Sequence, residues 1–193
     1  MPTNDIEVLK WITMAYFSGT FILAIFNLNL FLLHKKKHLR RWLESWLTIS
    51  VGYVILFISL ELEVDFLLGF FALFMIGSSY LFLSASSLFL QFKLPKYVTY
   101  LLPISAIFIL LFTIIDQYVA WSVLIGYLVN GYLFFVVGYQ FLKKNVFLSR
   151  VTGYMICLFS LVSFSYPFLS LQAWFSPWGY MVFGMLGLMV GML

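Results

Sequence analysis

Residues 11–41 read WITMAYFSGTFILAIFNLNLFLLHKKKHLRR, an uncharged run from Trp11 to Leu33 followed at once by His34-Lys35-Lys36-Lys37-His38-Leu39-Arg40-Arg41. About 20 apolar residues in a helix cross the roughly 30 Å hydrocarbon layer of a bilayer. A block of cations directly behind such a run marks the side that stays in the cytoplasm. The stretch therefore predicts a membrane-spanning helix that runs inward and is stopped by its own charges.

The rest of the chain repeats the pattern. Of its 193 residues 64% are hydrophobic and only 9% are charged, against roughly 25% charged in soluble domains. With 11 Lys and Arg and 7 Asp and Glu, the chain cannot cover a soluble core with polar side chains, whereas lipid removes that need. Cutting at polar clusters predicts an all-α, polytopic bundle of about seven transmembrane helices. They fall near residues 11–33, 42–60, 66–90, 98–115, 118–142, 147–171 and 174–193, as a single domain over residues 1–193. Short connections make sequential helices neighbours in a compact bundle.

Orientation follows from the cations. Lys35, Lys36, Lys37, Arg40, Arg41, Lys93, Lys96, Lys143, Lys144 and Arg150 all fall on one side, leaving Lys10 on the other with Asp5, Glu7, Glu61, Glu63, Asp65 and Asp116. The positive-inside rule then sets the N-terminus outside and the C-terminus in the cytoplasm. Lys35, Lys36, Lys37, Arg40 and Arg41 read as a topology determinant that also touches anionic lipid headgroups, not as a nucleic-acid site. His34 and His38 have an i, i+4 spacing that could hold a metal, but no third ligand lies nearby in sequence. Glu44 is placed to pair with Arg40 and Arg41. Cys157 is alone, so no disulfide forms within the chain. Residues 1–10 carry no basic leader region, which makes the first helix its own targeting signal.

The spans lack the chemistry of most membrane enzymes and pumps. No mid-span Lys, His or carboxylate pair is available for a Schiff base, a haem or a proton relay, and nothing calls for a cofactor or a catalytic role. What the spans do hold is amides, hydroxyls and aromatics. Asn27 and Asn29 on helix 1 and Asn130 on helix 5 need partners at roughly 1–3 kcal/mol each, so all are expected to face the interior. Asn130, Tyr127 and Tyr80 are candidates for lining a neutral cavity, with interhelical bonding as the plainer reading. Gly184, Gly187 and Gly191 form a small-residue stripe for helix packing on helix 7, and Met181, Met185 and Met189 a pliable one.

Between helices 6 and 7 runs Ser165-Tyr166-Pro167, then Trp174-Phe175-Ser176-Pro177-Trp178-Gly179. Two prolines and a set of interfacial aromatics make a rigid outer turn. This stretch resembles the last outer loop of bacterial seven-helix sensor modules that precede histidine kinase or diguanylate cyclase domains, as does the basic first loop leading into Leu39-Arg40-Arg41-Trp42 and Trp46. The chain has Ser165 where that family tends to carry an acid. The resemblance implies a sensory input domain of the bacterial plasma membrane, dimeric through the full-length protein, that reports an external or membrane-dissolved signal to an output domain; the charge-free spans make that signal neutral or apolar. Trp174, Trp178 and Tyr166 would stand at the mouth and Tyr80, Tyr127 and Asn130 beneath. Helix 7 ends without a Lys, Arg or Trp anchor, so the polypeptide is expected to continue past Leu193 into an output domain. A small transporter built as three helices, a linker helix and three more is the rival expectation, and a scaffold without ligand a third.

Overall fold

The computed structural model describes residues 3–115, 119–144 and 146–170, with side-chain surroundings for residues 6–115, 119–144 and 146–165. They form six helices: α1 (Thr3–His34), α2 (Lys37–Leu62), α3 (Phe66–Leu90), α4 (Lys96–Ile114), α5 (Val119–Leu142) and α6 (Phe147–Ser170). Each is long and apolar enough to cross a membrane, the architecture of a multi-pass membrane protein. The expected seventh helix at residues 174–193 lies outside the described residues.

Helix limits follow local chemistry. Asp65 and Gln91 bracket α3 at the predicted residues, and α5 and α6 match to within a residue. The chain turns out of α1, α2 and α3 through Lys35, Glu63 and Gln91, left-handed at φ 50°, 54° and 57°. A side chain in that region costs roughly 1–2 kcal/mol. At α2 and α3 the backbone N–H two residues past the helix returns to Ser59 and Ser87 carbonyls at 3.1 Å each, closing the last turn. α1 begins well before Trp11, because residues expected to stay outside the helix join it. Lys10 Nζ pairs with Glu7 Oε1 one turn back at 3.2 Å and with Glu61 Oε2 on α2 at 2.8 Å. α2 likewise starts early, taking Lys37, Arg40 and Arg41 into its first turns, where Glu44 receives Arg40 Nε and Arg41 Nη1, each at 2.9 Å.

The helices pack as a row, α1–α2–α3–α5–α6, with α4 laid outside against α3 and α5. Sequential neighbours were expected throughout, and the direct α3–α5 interface departs from that. Its cause is small residues: a Cβ added at Gly126 would stand 2.9 Å from both Ala72 Cβ and Met75 Cε. In lipid, where apolar surface gains nothing from leaving its solvent, such close approach drives helix pairing. Half of the apolar window of α3 and of α5 is buried, against 22% for α4. α4 reaches α3 closely at Gly69, where an added Cβ would run into Thr113.

The two ends of the bundle differ in charge. His38 stands edge-on to Phe89 at 5.4 Å and Phe89 stacks on Phe141 at 6.4 Å, so the α1–α2, α3–α4 and α5–α6 turns, which carry the basic residues, share one end. The Lys10–Glu61 pair and the Thr113–Ser122 hydroxyl pair mark the other end. His34 closes α1 while His38 lies in α2, so the two histidines do not share a helix.

Candidate functional site

Three features of the described residues bear on a site. The first is a buried seam. Asn130, 3% exposed, accepts at Oδ1 from the Ser79 hydroxyl of α3 and donates from Nδ2 to Ser163 Oγ of α6 at 2.7 Å. Ser163 Oγ in turn donates to the Tyr127 carbonyl at 3.3 Å, and Ser160 Oγ donates to the Gly131 carbonyl at 2.7 Å. One carboxamide thus ties α5 to both neighbours. Helix faces one turn apart explain it: Gly126, Asn130, Leu133 and Val137 share a stripe on α5, as do Ala72, Met75, Ser79 and Ser86 on α3. Below the seam α5 and α6 nearly touch backbone to backbone, with an added Cβ at Gly138 falling 3.0 Å from the Gly153 carbonyl.

The second feature is an open groove of about 470 Å³ between α4 and α5, lined by Tyr97, Tyr100, Leu101, Ile104, Leu128, Val129 and Tyr132. Its α4 wall is a stripe at i, i+3, i+4 and i+7, and its α5 wall one at i, i+1 and i+4. The rings of Tyr97 and Tyr132 stand 6.1 Å apart across it, and Tyr100 is 68% exposed at its rim. The surroundings are otherwise aliphatic, so the groove can take a flat, neutral molecule and offer phenol hydroxyls for orientation.

The third is a cavity of about 500 Å³ at the basic end, between α3, α5 and α6. Phe89, Leu90 and Phe141 provide apolar lining, and Gln91, Lys144, Ser149 and Thr152 provide polar groups.

The expected site residues divide accordingly. Tyr127 and Asn130 are buried on one face of α5, and Tyr80 is half-buried against the core. Neither open space is lined by these three, and the hydrogen bonds of Asn130 go to neighbouring helices. Tyr166, Trp174 and Trp178 fall outside the described side chains, as do the packing glycines Gly184, Gly187 and Gly191. Lys35, Lys36, Lys37, Arg40 and Arg41 are exposed at the basic end. Asn27 faces inward and donates to the Leu23 carbonyl at 2.9 Å, but Asn29 is exposed, contrary to expectation. Successive helical residues turn by about 100°, so residues two apart face nearly opposite ways. Among the described residues no group of three or more His, Cys, Asp and Glu is gathered to hold a metal.

Comparison with protein-family models, curated protein sequences and solved structures finds no match to this chain.

Proposed function

We propose that the chain is a membrane-embedded sensory input domain. In this reading the basic end faces the cytoplasm, the N-terminus lies outside, and a seventh helix leads to a cytoplasmic signalling domain such as a histidine kinase or diguanylate cyclase. The signal is a neutral or apolar molecule dissolved in the bilayer, or the state of the bilayer itself.

The observation that carries the reading is the tyrosine groove. It opens sideways between the least buried helix and one of the two central ones, so a ligand arriving through lipid meets α4 and α5 together. A molecule that prefers one spacing of these helices shifts the population of packings by its differential affinity. α5 is joined to α3 and α6 through Asn130, so a displacement of α5 is passed along the row. The sequence resemblance supports the same assignment.

The test is a thermal-shift screen of the purified protein in lipid nanodiscs against quinones, small aromatics and neutral lipids. A saturable rise in melting temperature is expected for at least one probe, and it should disappear in the Tyr100→Ala, Tyr132→Ala double variant while the ligand-free melting temperature stays near the parent's. Absence of any stabilising probe, together with flux of a neutral solute into proteoliposomes, would sink the sensor reading in favour of a small transporter.

A further inference from the structure

The cavity at the basic end has no part in the sensing scheme, and its chemistry is of another kind. It is walled by the last turns of α3 and α5 and the first turns of α6, with Phe89, Leu90, Phe141 and Leu148 on its apolar side. On its polar side stand the Gln91 carboxamide, Lys144, Ser149 and Thr152. The two neighbouring lysines differ. Lys143 Nζ lies over the Tyr139 ring at 4.4 Å, whereas Lys144 lines the cavity and makes no ion pair with any described residue. Ser149 Oγ donates to the Phe141 carbonyl at 3.0 Å and Thr152 Oγ1 to the Leu148 carbonyl at 3.0 Å, which leaves each oxygen able to accept but no proton to offer. Among the lining side chains the donors that remain are Lys144 and Gln91.

The rim adds a second kind of evidence. Val146, Phe147 and Leu148 are 62%, 82% and 64% exposed in succession, an apolar lip beside a lysine at the basic end. On the same face of α3 as Phe89 and Leu90, one turn deeper, Ser86 is fully buried and its hydroxyl has no partner among the described residues. An aromatic floor, an apolar lip and one cation suit a molecule with a negative head and a long apolar tail.

We propose that this cavity is a binding site for one anionic phospholipid. Its phosphate is held by Lys144 and Gln91, and an acyl chain runs over Phe141 and Leu148 to the lip at Phe147. A lipid seated there touches α3, α5 and α6 at once and so acts as a wedge or a clamp at the end of the row. Basic pockets between transmembrane helices recognise headgroups in this way. The site needs only a membrane-embedded bundle and stands whether or not the tyrosine groove binds a ligand.

The test counts lipids retained on the detergent-purified protein by native mass spectrometry during titration with phosphatidylglycerol, phosphatidylcholine or inorganic phosphate. One phosphatidylglycerol per chain should be held in preference to phosphatidylcholine. Lys144→Gln should weaken it by about fivefold, the effect of a single cation near a headgroup, while Lys144→Arg and Lys93→Gln stay within about twofold of the parent. Lys144→Arg also guards against a folding defect, since it keeps the charge while changing the side chain. Equal losses in Lys93→Gln and Lys144→Gln would mean diffuse attraction and overturn the site. So would equal retention of phosphatidylcholine, and displacement of the lipid by millimolar phosphate would replace a lipid site with a phosphate site.

Discussion

Asn130 offers the sharpest test of how the bundle is held. Asn130→Ala removes a carboxamide that bonds Ser79 on α3 and Ser163 on α6, but it leaves both serines with backbone acceptors, Met75 at 2.7 Å and Tyr127 at 3.3 Å. No buried hydroxyl proton is stranded, so the penalty of an unsatisfied donor does not arise. What is lost is two interhelical bonds. Such bonds in membrane bundles average about 0.6 kcal/mol and reach about 1.7, which sets the expectation at about 1.2 kcal/mol and a ceiling of about 3.4. Truncation also leaves a small void, so the single variant overstates the bonds. Double-mutant cycles with Ser79→Ala and Ser163→Ala remove that term and should each return a coupling of about 0.6 kcal/mol. The measurement is reversible unfolding in mixed micelles titrated with dodecyl sulfate, followed by tryptophan fluorescence. Coupling near zero in both cycles would refute the seam as a joint between α3, α5 and α6. A cost well above the ceiling in the single variant would show that Asn130 supports more than these two bonds.

The two ends can be assigned by labelling with an impermeant thiol reagent in a Cys157→Ser background: single cysteines at Lys36 and Lys143 should react from one side of the membrane and a cysteine at Glu63 from the other. Gly69→Ala should destabilise by about 1–3 kcal/mol, because the new Cβ would lie 2.7 Å from Thr113 Cβ. Gly77→Ala on the same helix meets nothing nearer than Thr48 Cγ2 at 3.8 Å and should be neutral or stabilising by up to about 1 kcal/mol in the same assay. Gly138→Ala should also destabilise, and Cys157→Ala in that background should restore only part of the loss, since the Sγ contact at 2.6 Å is relieved but the Gly153 carbonyl at 3.0 Å is not.

Hydropathy located the spans well where a polar residue stands at each end, as Asp65 and Gln91 do for α3. At α1 it finds the span but not the helix's polar start, where Glu7, Lys10 and Glu61 pair with one another. Which helices touch was less legible. In a soluble helix the apolar stripe names the buried face, but α3 and α5 are apolar all round, so the inward face is marked only by residue size. Ala72, Ser79 and Gly126 carry that information on two helices separated by a third. The candidate site shows the same limit. Asn130 stood out because an amide in a span must find a partner, yet the sequence could not say whether that partner was a helix or a ligand. Tyr97, Tyr100 and Tyr132 do not stand apart among 12 tyrosines, and the one signal for them is the helical spacing of Tyr97, Tyr100, Leu101 and Ile104.

The pairing of α3 with α5 across α4 also sets an order of events during synthesis. A ribosome delivers α3 before α5 exists, so the stripe of Ala72, Met75, Ser79, Leu83 and Ser86 enters the bilayer with its partner still unmade. α4 follows next in sequence and meets α3 through Thr113 at Gly69, one turn before Ala72, not along the stripe that Gly126 of α5 contacts. In the finished bundle that stripe belongs to α5, with α4 laid to one side. Ser79 gains its Asn130 partner only when α5 is in place, and the row is closed only when α6 brings Ser163 to the same carboxamide.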